Sequence, residues 1–96
     1  MQKLTAIKLN LNELIDVLRF RFQTIDDVGI TSIIDGNKEE IAINVEQSGL
    51  DIIIEKEELV DILEEILDIT IEDVIILPDD EEIIILTTNT NGIRLI

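Results

Sequence analysis

The chain has 96 residues, with 22 Asp and Glu against 7 Lys and Arg, a net charge of −15, and no His, Cys, Trp or Tyr. Without Cys or His there is no disulfide framework, no thiolate or imidazole metal site, no cysteine nucleophile and no imidazole base. Yet 46% of the residues are hydrophobic, too many for a disordered acidic tail, and the length fits one domain spanning 1–96.

The chain opens on MQKLTAIKLNLNELIDVL. Lys8, Asn10, Asn12 and Glu13 interrupt its apolar residues, so it does not read as a signal peptide. No stretch approaches the roughly 18 uncharged apolar residues of a membrane span. A cytoplasmic protein is therefore expected. The negative charge disfavours direct binding to nucleic acid or to an anionic membrane.

Ile7, Leu9 and Leu11 alternate with polar residues, which predicts a strand near residues 3–9. Leu11, Leu14, Ile15, Leu18 and Phe22 then fall at helical spacing. Asn10 and Glu13 stand three apart at the start of this stripe, the spacing of a capping box. Arg19-Phe20-Arg21-Phe22 follows and leaves two readings open. The helix runs on to Phe22, with Phe20 on its outer face, or it ends near Leu18 and both Phe residues are buried in an extended segment. In the first case Phe20, flanked by Arg, has the composition of an interface anchor.

Three β-branched runs come next, at about residues 28–34, 40–45 and 50–54, separated by Asp35-Gly36-Asn37-Lys38 and Ser48-Gly49. Both separators are hairpin signals. A second helix is predicted from the stripe Leu59, Ile62, Leu63, Ile66 and Leu67. Three more runs follow at about 71–77, 82–88 and 93–96. Pro78-Asp79-Asp80 and Asn89-Thr90-Asn91-Gly92 serve as their turns.

The second half therefore repeats the first. ELIDVL at 13–18 returns as ELVDIL at 58–63, and TIDDV at 24–28 as TIEDV at 70–74. EEIAI at 39–43 returns as EEIII at 81–85, and SGLDII at 48–53 is matched by NGIRLI at 91–96. The four matches keep their order, at offsets of 45, 46, 42 and 43 residues. The predicted fold is α+β: two tandem αβββ repeats, about 10–54 and 55–96, packed as one pseudo-twofold domain with helices covering mainly antiparallel meanders. Runs such as Ile52-Ile53-Ile54 and Ile83-Ile84-Ile85-Leu86 lack a polar alternate face and need cover on both sides. Any uncovered face is offered to a partner, most simply a second copy in a homodimer. The order of helix, three strands, helix and strands is similar, at the level of fold alone, to that of class I secretion chaperones, which are also small and acidic. The chain carries no sequence motif of that family.

The charge is unevenly placed. Residues 1–25 hold Lys3, Lys8, Arg19 and Arg21 against Glu13 and Asp16, so the acidity belongs to residues 26–96. Stepping 100° per residue puts Glu57, Asp61, Glu64, Glu65 and Asp68 opposite the apolar stripe of the second helix. No Lys or Arg alternates with them to give i,i+4 relief. This face is either a solvated surface that keeps an Ile-rich chain dispersed or a recognition face for a basic partner. Asp79, Asp80, Glu81 and Glu82 form a second acidic cluster at a predicted hairpin tip. No segment fits a calcium-loop pattern. No phosphate loop or nucleophile motif is present, and the two Phe give little to grip a sugar between paired carboxylates. No cofactor, no specific metal site and no enzyme activity are expected.

The expected function is a non-enzymatic acidic protein-binding module. Its first form is an inhibitor or DNA mimic that occupies the basic nucleic-acid-binding surface of a partner, such as a nuclease, as anti-restriction, anti-CRISPR and nuclease-immunity proteins do. The expected contacts are Glu57, Asp61, Glu64, Glu65 and Asp68, with Asp79, Asp80, Glu81 and Glu82 adding charge and Phe20 as a candidate anchor. The alternative is a homo-oligomeric structural or assembly protein, or a chaperone-like adaptor, of phage or bacterial origin.

Overall fold

A computed structural model describes residues 4–88. The elements are β1 (Thr5–Asn10), α1 (Leu11–Leu18), β2 (Ile25–Asp35), β3 (Lys38–Gln47), β4 (Leu50–Ile54), α2 (Lys56–Leu67), β5 (Ile71–Leu77) and β6 (Glu82–Thr87). They build two three-stranded sheets, ordered β2-β3-β4 and β1-β6-β5, with every neighbouring pair antiparallel. The fold is α+β and repeat-like, as the periodicities predict. The run expected at 93–96 and its turn at 89–92 lie outside the described residues.

Strand pairing sets the phase of the repeat. The units are β1α1β2β3 and β4α2β5β6, and the first strand of each pairs with the last strand of the other. β1 thus does for β6 what β4 does for β3. Leu9 lies opposite Ile83, as Ile54 lies opposite Ile43. Asn10 and Glu55 are the matching N-cap residues. The strand–helix pieces therefore correspond at an offset of 45, as ELIDVL and ELVDIL imply. Ile43 corresponds to Ile83, however, so β3 and β6 align at 40 rather than at the 42 of the EEIAI match. A slip of two residues keeps every side chain on its own face, so hydrophobic matching does not detect it.

The TIDDV/TIEDV match is a folded motif. β2 is bulged between Ile25 and Asp27, and β5 between Ile71 and Asp73. At each bulge the backbone N–H that follows is bonded to the preceding Asp: Val28 N–H donates to Asp27 Oδ1 and Val74 N–H to Asp73 Oδ1, both at 2.9 Å. In each case the Asp satisfies an amide of an edge strand.

Both apolar stripes face one shared cluster. Leu14, Leu18, Leu59 and Leu63 are fully buried with Ile43, Val45, Ile54, Val74, Ile83 and Ile85, drawn from both sheets. Each such side chain contributes about 1.5–3 kcal/mol on removal from water. Asn10 caps α1 as predicted. Glu13 N–H donates to its Oδ1 at 2.8 Å, and its own N–H donates to Glu13 Oε1 at 3.1 Å.

Neither reading of Arg19–Phe22 holds whole. The helix ends at Leu18 and a turn follows, closed by Phe22 N–H on Leu18 O at 2.8 Å. Phe22 packs against the core, while Phe20 is 82% exposed.

Candidate protein-binding surface

α2 runs with Leu59, Ile62 and Leu63 buried, which turns Glu57, Asp61 and Glu65 outward. Asp68 is exposed at the C-cap, in left-handed conformation (φ 53°, ψ 47°). Glu64 departs from the predicted face. It is half-buried, and its Oε2 accepts the Ile71 N–H at 2.9 Å. α2 packs on β5, and this carboxylate bonds the first amide of that strand, so Glu64 holds the fold rather than facing solvent.

Glu57 sits in the first turn of α2, where the helix field favours it, whereas Glu65 and Asp68 are placed against that field. The last turn of α2 contains no basic residue, although the C-terminal end of a helix carries partial negative charge and favours cations. Relief comes from outside the helix. Arg21 Nη1 reaches Glu65 Oε2 at 3.1 Å from the turn after α1. That contact brings the Arg19–Phe22 turn, and with it the exposed Phe20, to the C-terminal half of α2. Arg19 stays local, 3.6 Å from Asp16. Sequence alone separates Phe20 from Glu65 by 45 positions, and the fold joins their neighbourhoods.

The second acidic cluster belongs elsewhere. Asp79 and Asp80 are exposed in the β5–β6 turn. Glu81 has a φ of 53°, and its carbonyl accepts Leu11 N–H at 3.2 Å. Glu82 begins β6, half-buried. This cluster thus borders the start of α1, apart from the carboxylates of α2.

Two grooves complete the surface, and the repeat relates them. The larger encloses about 650 Å³ between the β2–β3 hairpin (Asp35, Glu39, Glu40, Ile41), the start of α2 (Glu55, Lys56, Glu57) and β5 (Val74, Ile75, Ile76). The smaller, about 380 Å³, uses the equivalent pieces: the β5–β6 turn (Pro78, Glu81), the start of α1 with Ile15, and β2 from Asp27 to Ile30. Five carboxylates and one lysine line the first, and two carboxylates line the second. The lysine is engaged, since Lys56 Nζ lies 2.9 Å from Asp73 Oδ1. That hydrogen bond, with the Val74 amide second, holds the Asp73 carboxyl below its ordinary range.

The groove residues Asp35, Glu39, Glu40, Ile41, Glu55 and Ile75 were not among the predicted contacts. One signal in the sequence points to them. The matched offset falls from 46 at TIDDV/TIEDV to 42 at EEIAI/EEIII, which marks the first hairpin as the longer one, and strand register sets the difference at six residues. Among the described residues no cluster of three or more carboxylates is arranged to hold a metal ion, and no helix is long and apolar enough to cross a membrane. Comparisons with protein-family models, curated proteins and solved structures return no match.

Proposed function

We propose that the protein is a non-enzymatic acidic binding module of the cytoplasm. It occupies a basic, nucleic-acid-binding surface of a partner protein and so acts as an inhibitor or DNA mimic. One observation carries this reading: the exposed carboxylates of α2 continue to its C-terminal end, where the helix dipole opposes them and, among the described residues, only Arg21 offsets them. A surface that served solubility alone would be as well served by mixed charge, without that cost. A carboxylate row instead matches Lys and Arg grooves that receive phosphates, and speeds association with them.

The test is binding to a basic nuclease or DNA-binding protein, with duplex DNA as competitor. Affinity should fall steeply with salt, and DNA should displace the protein. Glu57→Lys with Asp61→Lys should weaken binding by more than about tenfold, as expected for reversed charges at a steered interface. Both residues are exposed and outside the core, so the fold should survive. An affinity that ignores both salt and the double substitution would sink the proposal.

A second reading, a homo-oligomeric assembly or chaperone-like adaptor, draws on Phe20, Ile34 and Leu50, exposed by 82%, 77% and 70%. Sedimentation decides it: a monomer at high micromolar concentration counts against self-association.

A further inference from the structure

We propose that the larger groove receives an extended, cationic and aliphatic segment of the partner, which adds as a strand to the open edge of β3. The proposal deepens the reading above and rests on its claim that the partner is basic.

The edge follows from register. β3 is paired with β2 along its whole length, from Lys38 opposite Asp35. On its other side β4 stops at Ile54, opposite Ile43. Among the described residues, positions 38–42 of β3 therefore overhang, by about 16 Å at strand rise. Both neighbouring hairpins have two-residue turns, and hydrogen-bonded pairs alternate along an antiparallel ladder. Gln47, Val45 and Ile43 thus direct their backbone groups to β4. By the same alternation Ile41 and Glu39 direct theirs to the same side, beyond the end of β4. Both residues line the groove. An unpaired strand edge is a template for another strand.

The related groove is an internal comparison. There β1 pairs with β6 as far as Asn10 opposite Glu82, the first residue of β6. No overhang exists, the volume is smaller, and the carboxylates are fewer. The longer hairpin of the first copy makes the difference.

Charge and polarity name the occupant. Asp35, Glu39, Glu40, Glu55 and Glu57 surround the groove, and the Lys56 amine is held by Asp73. Ile41 and Ile75 are each 38% exposed at its wall. A strand with alternating Lys or Arg and Val or Ile meets both. A second copy of the chain, at −15, brings the wrong sign for its edge.

The probe is a labelled ten-residue peptide of alternating Lys and Val, followed by fluorescence anisotropy at about 0.05 M salt. N-methylation of every second amide in one register should weaken binding by about tenfold or more, and in the other register should not, because only one set of amides bonds to β3. Ile41→Glu should also weaken it. That variant adds negative charge, so a purely electrostatic complex would hold or tighten. Ile41 is exposed enough for the fold to tolerate the change, and circular dichroism checks this.

Equal binding by both N-methylated peptides, with Ile41→Glu neutral, overturns strand addition. If a basic protein still binds in that case, the broader reading stands. If neither peptide nor basic protein binds at low salt, the broader reading fails as well. Binding that emerges only in a chain ending at Thr88 assigns the groove to the protein's own last residues and overturns the proposal.

Discussion

Asp73 shows how one side chain here serves two purposes. Its Oδ1 accepts the Val74 amide at the β5 bulge and also the Lys56 ammonium at the start of α2. Asp27, its counterpart, accepts the Val28 amide at the β2 bulge. The two Asp–Val steps are legible in sequence as a repeat, but not as bulges, because a bulge is defined by the strand opposite. The Lys56 contact lowers the Asp73 pKa, with the Val74 amide second. A carboxyl lowered by folding adds stability above its unfolded value and loses it as pH falls through its folded value. The contribution is therefore complete above about pH 5 and fades below about pH 4. Lys56→Met removes the larger cause. The gap in melting temperature between parent and variant should be full near neutrality and should shrink at about pH 3. A gap of constant size over that range would show that Lys56 acts through packing of its stem instead.

At the scale of elements, the two helices differ where their sequences diverge. α1 has a complete capping box, whereas Glu55 makes no side-chain hydrogen bond to the first turn of α2. α2 then closes on Asp68, a non-glycine residue in the left-handed region and a negative charge at the negative end of the helix. Asp68→Gly relieves both. It should raise stability by about 1 kcal/mol, read as a shift of several degrees in melting temperature. If Asp68 contacts the partner, the same variant binds less well, which separates a functional cost from a structural accident. Helices, meanders and turns were legible because their signals are local: stripes at 3.6 residues, alternation, a capping box, Gly at tight turns. The partner of β1 was not, because strand pairing joins residues about 80 apart and alternation tolerates a slip of two. The exposed face of α2 was readable by the same periodicity, with Glu64 as the exception. Its bond to Ile71 depends on where β5 begins. The grooves were hidden because each gathers three separate segments.

Across the whole molecule, the charge of −15 meets a radius of gyration of 13.7 Å. Only three ion pairs link side chains among the described residues. At 0.01 M salt the screening length is about 30 Å, comparable to the 41 × 34 × 22 Å extents of the molecule, so each carboxylate feels most of the others. At 0.15 M it is about 8 Å, and repulsion is confined to neighbours. Net charge of this size opposes the compact state. Sodium chloride should therefore stabilise the fold, raising the melting temperature by about 5–10 °C between 0.01 and 0.3 M and levelling off as screening saturates. With no Trp or Tyr, the transition is followed by circular dichroism or calorimetry. A flat or falling melting temperature would mean that repulsion costs the fold nothing, and would remove the argument that its acidic surface is retained for a partner. The same salt series bears on function with the opposite sign. Salt should strengthen the fold and weaken the complex, so affinity lost at high salt cannot be ascribed to unfolding.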